Sequence, residues 1–145
     1  MSPVELAEAC AAYLWEHDTA SRSAGMALEA VAPGYARLVL EIDEAMTNGH
    51  GIAHGGVVFL LADTAFAFAC NTYDDVTVAQ GADISFVEPA YVGDRLVAEA
   101  REVVRRGRSG VYDVTVTRDG SVVAVFRGRS RSLGRPLLER RGGVQ

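Results

Sequence analysis

The sequence predicts an α+β fold in which one antiparallel sheet of about six strands curls around a long central helix, with a short helix at the N-terminus. Three observations lead there. Residues 55 to 70, GGVVFLLADTAFAFAC, are too long a run for an ordinary strand, and Ala and Leu outnumber β-branched residues in them, so they read as a helix. That helix is apolar on nearly every face, which places it in the middle of the structure. The segments around it read as short strands divided by turn signals. Finally, 145 residues that are 49% hydrophobic and 23% charged make one domain with a substantial core and leave no room for a second of normal size.

Taken in order, residues 3 to 17 place Val4, Leu6, Ala7, Cys10, Ala11 and Leu14 at spacings of three and four. Ser2 is a candidate cap and Pro3 suits a first turn, so this is the short helix. GMALEAVAP and GYARLVLEI follow as a hairpin around Pro33-Gly34. After the central helix comes VTVAQGADISFVEPA, a long strand in which Gly81 signals a bulge or bend. DRLVAEAREVVRR, GVYDVTVTR and SVVAVFRGRSRSL complete an antiparallel meander, the last two joined at Asp119-Gly120, a strong hairpin signal. The chain is expected to be one domain over 1–145, with residues 133–145 a frayed tail.

Composition excludes several classes. A net charge of -5 argues against non-specific nucleic-acid binding. The longest uncharged stretch, 45–62, is broken by glycines, polar residues and histidines, so it is not a membrane span. The start MSPVELAEACAAYLWEHD has no positive region and carries Glu5 and Glu8 where an export signal is apolar, so a cytoplasmic location is expected. Cys10 and Cys70 read as free buried thiols, Cys70 as core filler. His50 and His54 are four apart, but Gly49, Gly51 and Gly55 disfavour a helix presenting both rings, so neither a metal nor a cofactor is expected.

Asp63 is the one acid inside the apolar run. A carboxylate there is costly unless it is bonded or protonated. It either accepts hydrogen bonds at an interface, from a neighbour's Thr64 or Asn71, or acts as a general base or nucleophile with a raised pKa. The stretch His54-Gly55-Gly56 lies where the helix begins. Glycines there leave backbone N–H groups open to a ligand oxygen, as in an oxyanion hole, or simply serve a tight loop. Gly55 and Asp63 are separated by roughly 12 Å of helix at about 1.5 Å per residue, so one helix cannot bring both to the same carbonyl. Catalysis therefore predicts a two-fold homodimer with composite sites.

The stretch NGHGIAHGGVVFLLADTAFAFACN, followed by ISFVEPAYVGDRL, GVYDVTV and VAVFRGRS, closely resembles the hot-dog-fold acyl-CoA thioesterases of the phenylacetate-degradation (PaaI) type. The resemblance runs from about residue 5 to 132, and Asn48, His54, Gly55 and Asp63 match the family pattern. It implies hydrolysis of aryl-acyl-CoA esters, of the phenylacetyl-CoA or hydroxyphenylacetyl-CoA type, to free acid and CoA. In that reading Asp63 is base or nucleophile, the Gly55 amide binds the oxyanion, and Asn48 and His54 line and orient the site. Gly56 and Thr64, beside Gly55 and Asp63, are expected to meet the substrate. The resemblance further implies a homotetramer of two dimers.

Arg105, Arg106 and Arg108 crowd one turn, while Arg127, Arg129 and Arg131 share one face of a strand. Either set serves as a solvated edge or as a phosphate site. Arg106 and Arg108 are assigned to the phosphates of CoA. Phe66 and Phe68 read as core. The rival readings are a non-catalytic acyl-CoA-binding module, which has no need of Asp63, and a lyase or dehydratase acting on acyl-CoA.

Overall fold

The computed structural model describes residues 1–138. Helix α1 spans Pro3–His17 and α2 Thr19–Ser23. Strands β1 (Ala27–Ala32) and β2 (Tyr35–Glu41) lead through a 3-10 turn, Glu44–Met46, to helix α3 (Gly55–Cys70). Then come β3 (Thr77–Phe86), β4 (Arg95–Arg106), β5 (Ser109–Arg118) and β6 (Ser121–Ser132).

Local chemistry accounts for most boundaries. A capping box opens α1: the Glu5 N–H donates to Ser2 Oγ at 3.1 Å and the Ser2 N–H to Glu5 Oε1 at 2.8 Å. Asp18 ends α1 and its side chain then caps α2, a short helix that no periodicity announces. Both residues of the β5–β6 turn, Asp119 and Gly120, have positive φ (49° and 82°), as a type I′ hairpin requires. Gly34 takes φ 70° in the β1–β2 turn, next to Pro33.

The strands form a single antiparallel sheet in the order β1-β2-β4-β5-β6-β3. The register shift between Ala79 and Gly81 is the expected bulge in β3. The sheet stays open, with β1 and β3 as its two edges. Helix α3 lies along the inner face, on buried Leu38, Leu96, Ala98, Val114, Val116 and Phe126. It sits so close that a Cβ on Gly128 of β6 would come within 2.7 Å of the Phe66 ring. Burying a side chain such as Phe66 contributes roughly 1.5–3 kcal/mol.

The sheet buries the helix on most sides, as expected, and two details add to that picture. The helix is not enclosed all round: Gly56 is exposed, while Leu60, Asp63 and Ala67 are only partly buried. At about 100° per residue these four share one stripe, which the open sheet leaves uncovered. The tail is also ordered further than expected. Leu133 donates to Val76 O at 2.8 Å, Val76 to Arg135 O at 2.9 Å, and Asp74 Oδ1 accepts the N–H groups of Leu137 and Leu138. Leu137 is buried, so residues 133–138 strap the end of α3; residues 139–145, also expected to fray, lie outside the described residues. Among the described residues no helix is long and apolar enough to cross a membrane.

Candidate active site

The loop before α3 is shaped by Asn48. Its Oδ1 accepts the N–H of His50 at 2.9 Å and of Ile52 at 3.4 Å, while its own N–H donates to Ile52 O. The loop hands the chain to His54, which is anchored by its N–H to Met46 O at 2.8 Å; the preceding Ala53 N–H donates to Ala90 O at 2.8 Å. His54 is the N-cap of α3, and its Nδ1 accepts the Gly56 N–H at 2.8 Å. With Nδ1 an acceptor, the proton of the neutral ring is on Nε2, the atom left free to donate.

Gly55 is the first residue of the helix, and among the described residues its N–H has no acceptor. This donor points from the positive end of a 16-residue helix. Gly55 itself lines a cleft of about 430 Å³, together with Asn48, Val58, Phe86, Glu88 and Val123, among others. The Phe86 ring lies over Gly55, where a Cβ would be 3.1 Å from its Cζ. Four of its lining residues, Ala53, Val58, Ala90 and Val123, are apolar and buried.

Asp63 does not line this cleft. It is half-buried on the open stripe of α3, and no hydrogen-bond donor among the described residues reaches its carboxylate. Burial raises its pKa above the ordinary carboxylate value. The protomer thus puts Asn48 and Gly55 on one cleft, leaves His54 exposed beside Gly55 at the helix start but outside the cleft lining, and holds the acid apart, as the helix geometry requires.

Other expected positions fall elsewhere. Thr64 is only 5% exposed and faces inward, its hydroxyl donating to Leu60 O at 2.8 Å and lying 2.9 Å from Ser21 Oγ. It fastens α2 to α3 and does not line the cleft of its own chain. Gly56 is exposed, but its N–H is engaged by His54 and it does not line the cleft. Arg106 and Arg108 flank the exposed β4–β5 turn near the C-terminal end of α3, where Gly34 donates to Thr72 Oγ1 and Tyr73 to Glu102. That is the opposite end from Gly55. Arg108 also packs on Gly134 of the C-terminal strap.

The second arginine set belongs to the outer face of the sheet. Arg127 forms a bidentate pair with Asp113 at 2.7 and 2.8 Å, which lowers the Asp113 pKa, and Arg129 pairs with Asp83 at 3.2 Å. Phe66 and Phe68 are core, as expected. Among the described residues no three His, Cys, Asp or Glu side chains gather as a metal site would require.

The sequence reading gives Phe86, Glu88 and Arg118 no role, although Phe86 and Glu88 lie within the ISFVEPAYVGDRL stretch. Arg118 donates to Pro89 O at 2.8 Å, to Asp94 at 3.1 Å and to Glu88 at 3.1 Å, and so braces the 87–94 segment that walls the cleft. Thirty residues separate Arg118 from Glu88, and only the fold joins them. The physical signal for Phe86 is its alternation with Ala82 and Ile84 along β3.

Comparison with known proteins shows the family. The family model described as the thioesterase superfamily matches residues 50–125. The acyl-coenzyme A thioesterase PaaI of Escherichia coli K12 is 37% identical over 122 residues, 83% of this chain and 87% of the relative. The solved structure of the E. coli PaaI protein from the phenylacetic acid degradation operon superposes with a TM-score of 0.91 at 34% identity, covering 93% of this chain and 99% of that one. A mutant of the phenylacetic acid degradation protein PaaI from Thermus thermophilus superposes with a TM-score of 0.76 at 35% identity, over 78% of this chain and 97% of that one. The chain therefore belongs to the thioesterase superfamily, has its hot-dog fold, and is a hydrolase acting on thioester bonds.

Proposed function

We propose that the protein hydrolyses acyl-CoA esters, of the phenylacetyl-CoA or hydroxyphenylacetyl-CoA type, to the free acid and CoA at sites completed by two subunits. The observation that carries this reading is a mismatch within one chain. Gly55 lines a cleft and has a free N–H, while Asp63, the only acidic side chain on α3, is on an open stripe without a donor. Antiparallel packing of two such stripes sets Asp63 of the partner subunit against the Gly55 cleft. Among the described residues β3, ten residues long, is an edge strand with one side unpaired, which is available to the same interface. Two such dimers make the homotetramer.

In this site the thioester carbonyl oxygen is held by the Gly55 N–H. Asp63 of the partner subunit takes a proton from a water whose oxygen attacks the carbonyl carbon. The tetrahedral intermediate, its oxyanion on Gly55, collapses with breakage of the C–S bond, and the departing CoA thiolate recovers the proton. Attack by the carboxylate itself, giving an anhydride that water then opens, uses the same geometry. Oxygen-18 incorporation into Asp63 in a single turnover distinguishes the routes. His54 and Asn48 orient the carbonyl. Arg106 and Arg108 cannot reach the cleft of their own chain, but the two-fold axis brings that end of α3 to the partner's cleft, where CoA phosphates emerge. The aryl preference is supported by the phenylacetate relatives.

The test is thiol release from a panel of aryl and straight-chain acyl-CoA esters by wild type, Asp63→Ala and Asp63→Asn, each verified as folded and of wild-type oligomeric state. Turnover of aryl esters by wild type, lost in both variants, is expected. Binding of CoA esters without thiol release contradicts it and favours a binding module.

A further inference from the structure

The cleft holds one residue whose position and exposure disagree. Ala82, Ile84 and Phe86 occupy alternate positions on β3, opposite Gly128, Phe126 and Ala124 of β6, so all three take the inner face of the sheet. Ala82 and Ile84 pack on the core, as inner-face residues should. Phe86 is 56% exposed. It faces inward where α3 has not yet begun, and what it faces is the Gly55 cleft. An aromatic ring left open on an inward position is placed for a ligand, not for packing.

We infer that Phe86 forms the acyl-side wall of this cleft and sets a preference for flat aromatic acyl groups over straight chains. The inference rests on the reading of the cleft as the thioester site. A carbonyl oxygen on the Gly55 N–H, at a hydrogen-bond distance of about 2.9 Å, puts the first atoms of the acyl group beside a ring that already touches Gly55. The buried apolar lining of Ala53, Val58, Ala90 and Val123 offers no partners for the amides of a pantetheine arm, so the arm leaves toward solvent and the acyl group turns inward. Stacking or edge contact with an aromatic acyl group adds roughly two- to tenfold in relative rate beyond burial alone. A straight chain gains only the burial.

The experiment compares kcat/KM for phenylacetyl-CoA and hexanoyl-CoA in wild type, Phe86→Leu and Phe86→Ala. Both variants are compared once circular dichroism and size-exclusion chromatography show them folded and of wild-type oligomeric state. The expected result is a fall of roughly fivefold in the aryl-to-alkyl ratio for Phe86→Leu and a larger fall for Phe86→Ala. An unchanged ratio overturns the inference, whether the rates are intact or fall equally for both esters, since a uniform loss means contact with the CoA portion or a structural role. Absence of thiol release by wild type itself would remove the functional reading, and the inference with it. An active wild type with an unaltered ratio removes the inference alone.

Discussion

His54 accepts the backbone N–H of Gly56 on its ring Nδ1 at 2.8 Å, across the first turn of α3. The bond does two things: it caps the helix and it aims Nε2 outward. Capping side chains of this kind stabilise a protein by roughly 0.5–2 kcal/mol. His54→Ala should lose that amount in chemical denaturation. His54→Asn restores a cap and most of the stability but not the imidazole, so its kcat should remain low. Recovery of full activity by His54→Asn would reduce His54 to a cap.

Asp63 gives the reaction a pH signature. Burial raises its pKa in the folded state, so the fold favours the protonated form. Its contribution to stability is present below the ordinary carboxylate pKa and is lost as pH rises through the raised folded value. At neutral pH the ionised group therefore opposes folding, and Asp63→Asn should melt above wild type at pH 7, with the gap closing in acid. Since a base must be ionised to act, kcat/KM should fall on the acid side with an apparent pKa above 3.8. A variant that melts below wild type at pH 7 contradicts this account of the acid.

Gly128 is set by contact, not by turn geometry. A Cβ there would lie 2.7 Å from three atoms of the Phe66 ring, and Phe66 is itself wedged against Tyr112 and Phe126. Gly128→Ala should cost about 1–3 kcal/mol by overpacking. Gly25→Ala tests the contrast: it meets no atom within 4 Å, and its φ of 90° makes strain the only penalty.

Both cysteines should be silent in the native protein. Cys10 and Cys70 are free and buried, and burial pushes the Cys70 thiol up to about 12. A disulfide-exchange reagent should titrate neither thiol before unfolding and both after it. Rapid labelling of either one in the native state would contradict the packing of α1 or α3.

Much of this architecture is legible in the sequence because its signals are local. Ala and Leu over sixteen residues specify α3, Asp119-Gly120 the last hairpin, and Ser2 with Glu5 the first cap. What escapes is decided by tertiary contact. Thr64 is only one residue from Asp63, about 100° around the helix, and nothing local says which of them faces the sheet. It turns inward because Ser21 of α2 is there to meet its hydroxyl. The strap at 133–138 is held by Asp74 and Val76, more than fifty residues earlier. The oxyanion position is readable from a glycine at a helix start; the ring that covers it is not, because Phe86 is brought to Gly55 by strand register.

The central claim is that each site takes Gly55 from one chain and Asp63 from the other, and subunit mixing tests it most directly. Gly55→Pro deletes the N–H at a position whose backbone suits Pro: it is the first helical residue, and His54 before it already has extended backbone, φ -60° and ψ 135°; the exposed Phe86 ring, 3.1 Å from a Cβ there, must shift to admit it. Asp63→Asn deletes the base. Each variant alone should be nearly inactive, a loss of about 10²-fold or more in kcat. Unfolded together and refolded in equal amounts, half of the dimers pair one chain of each kind, and one of their two sites is whole. The account predicts thiol release at about a quarter of the wild-type rate. No recovery above the two separate variants, with mixed dimers demonstrably formed, would mean that the site lies within one chain and that the composite reading is wrong.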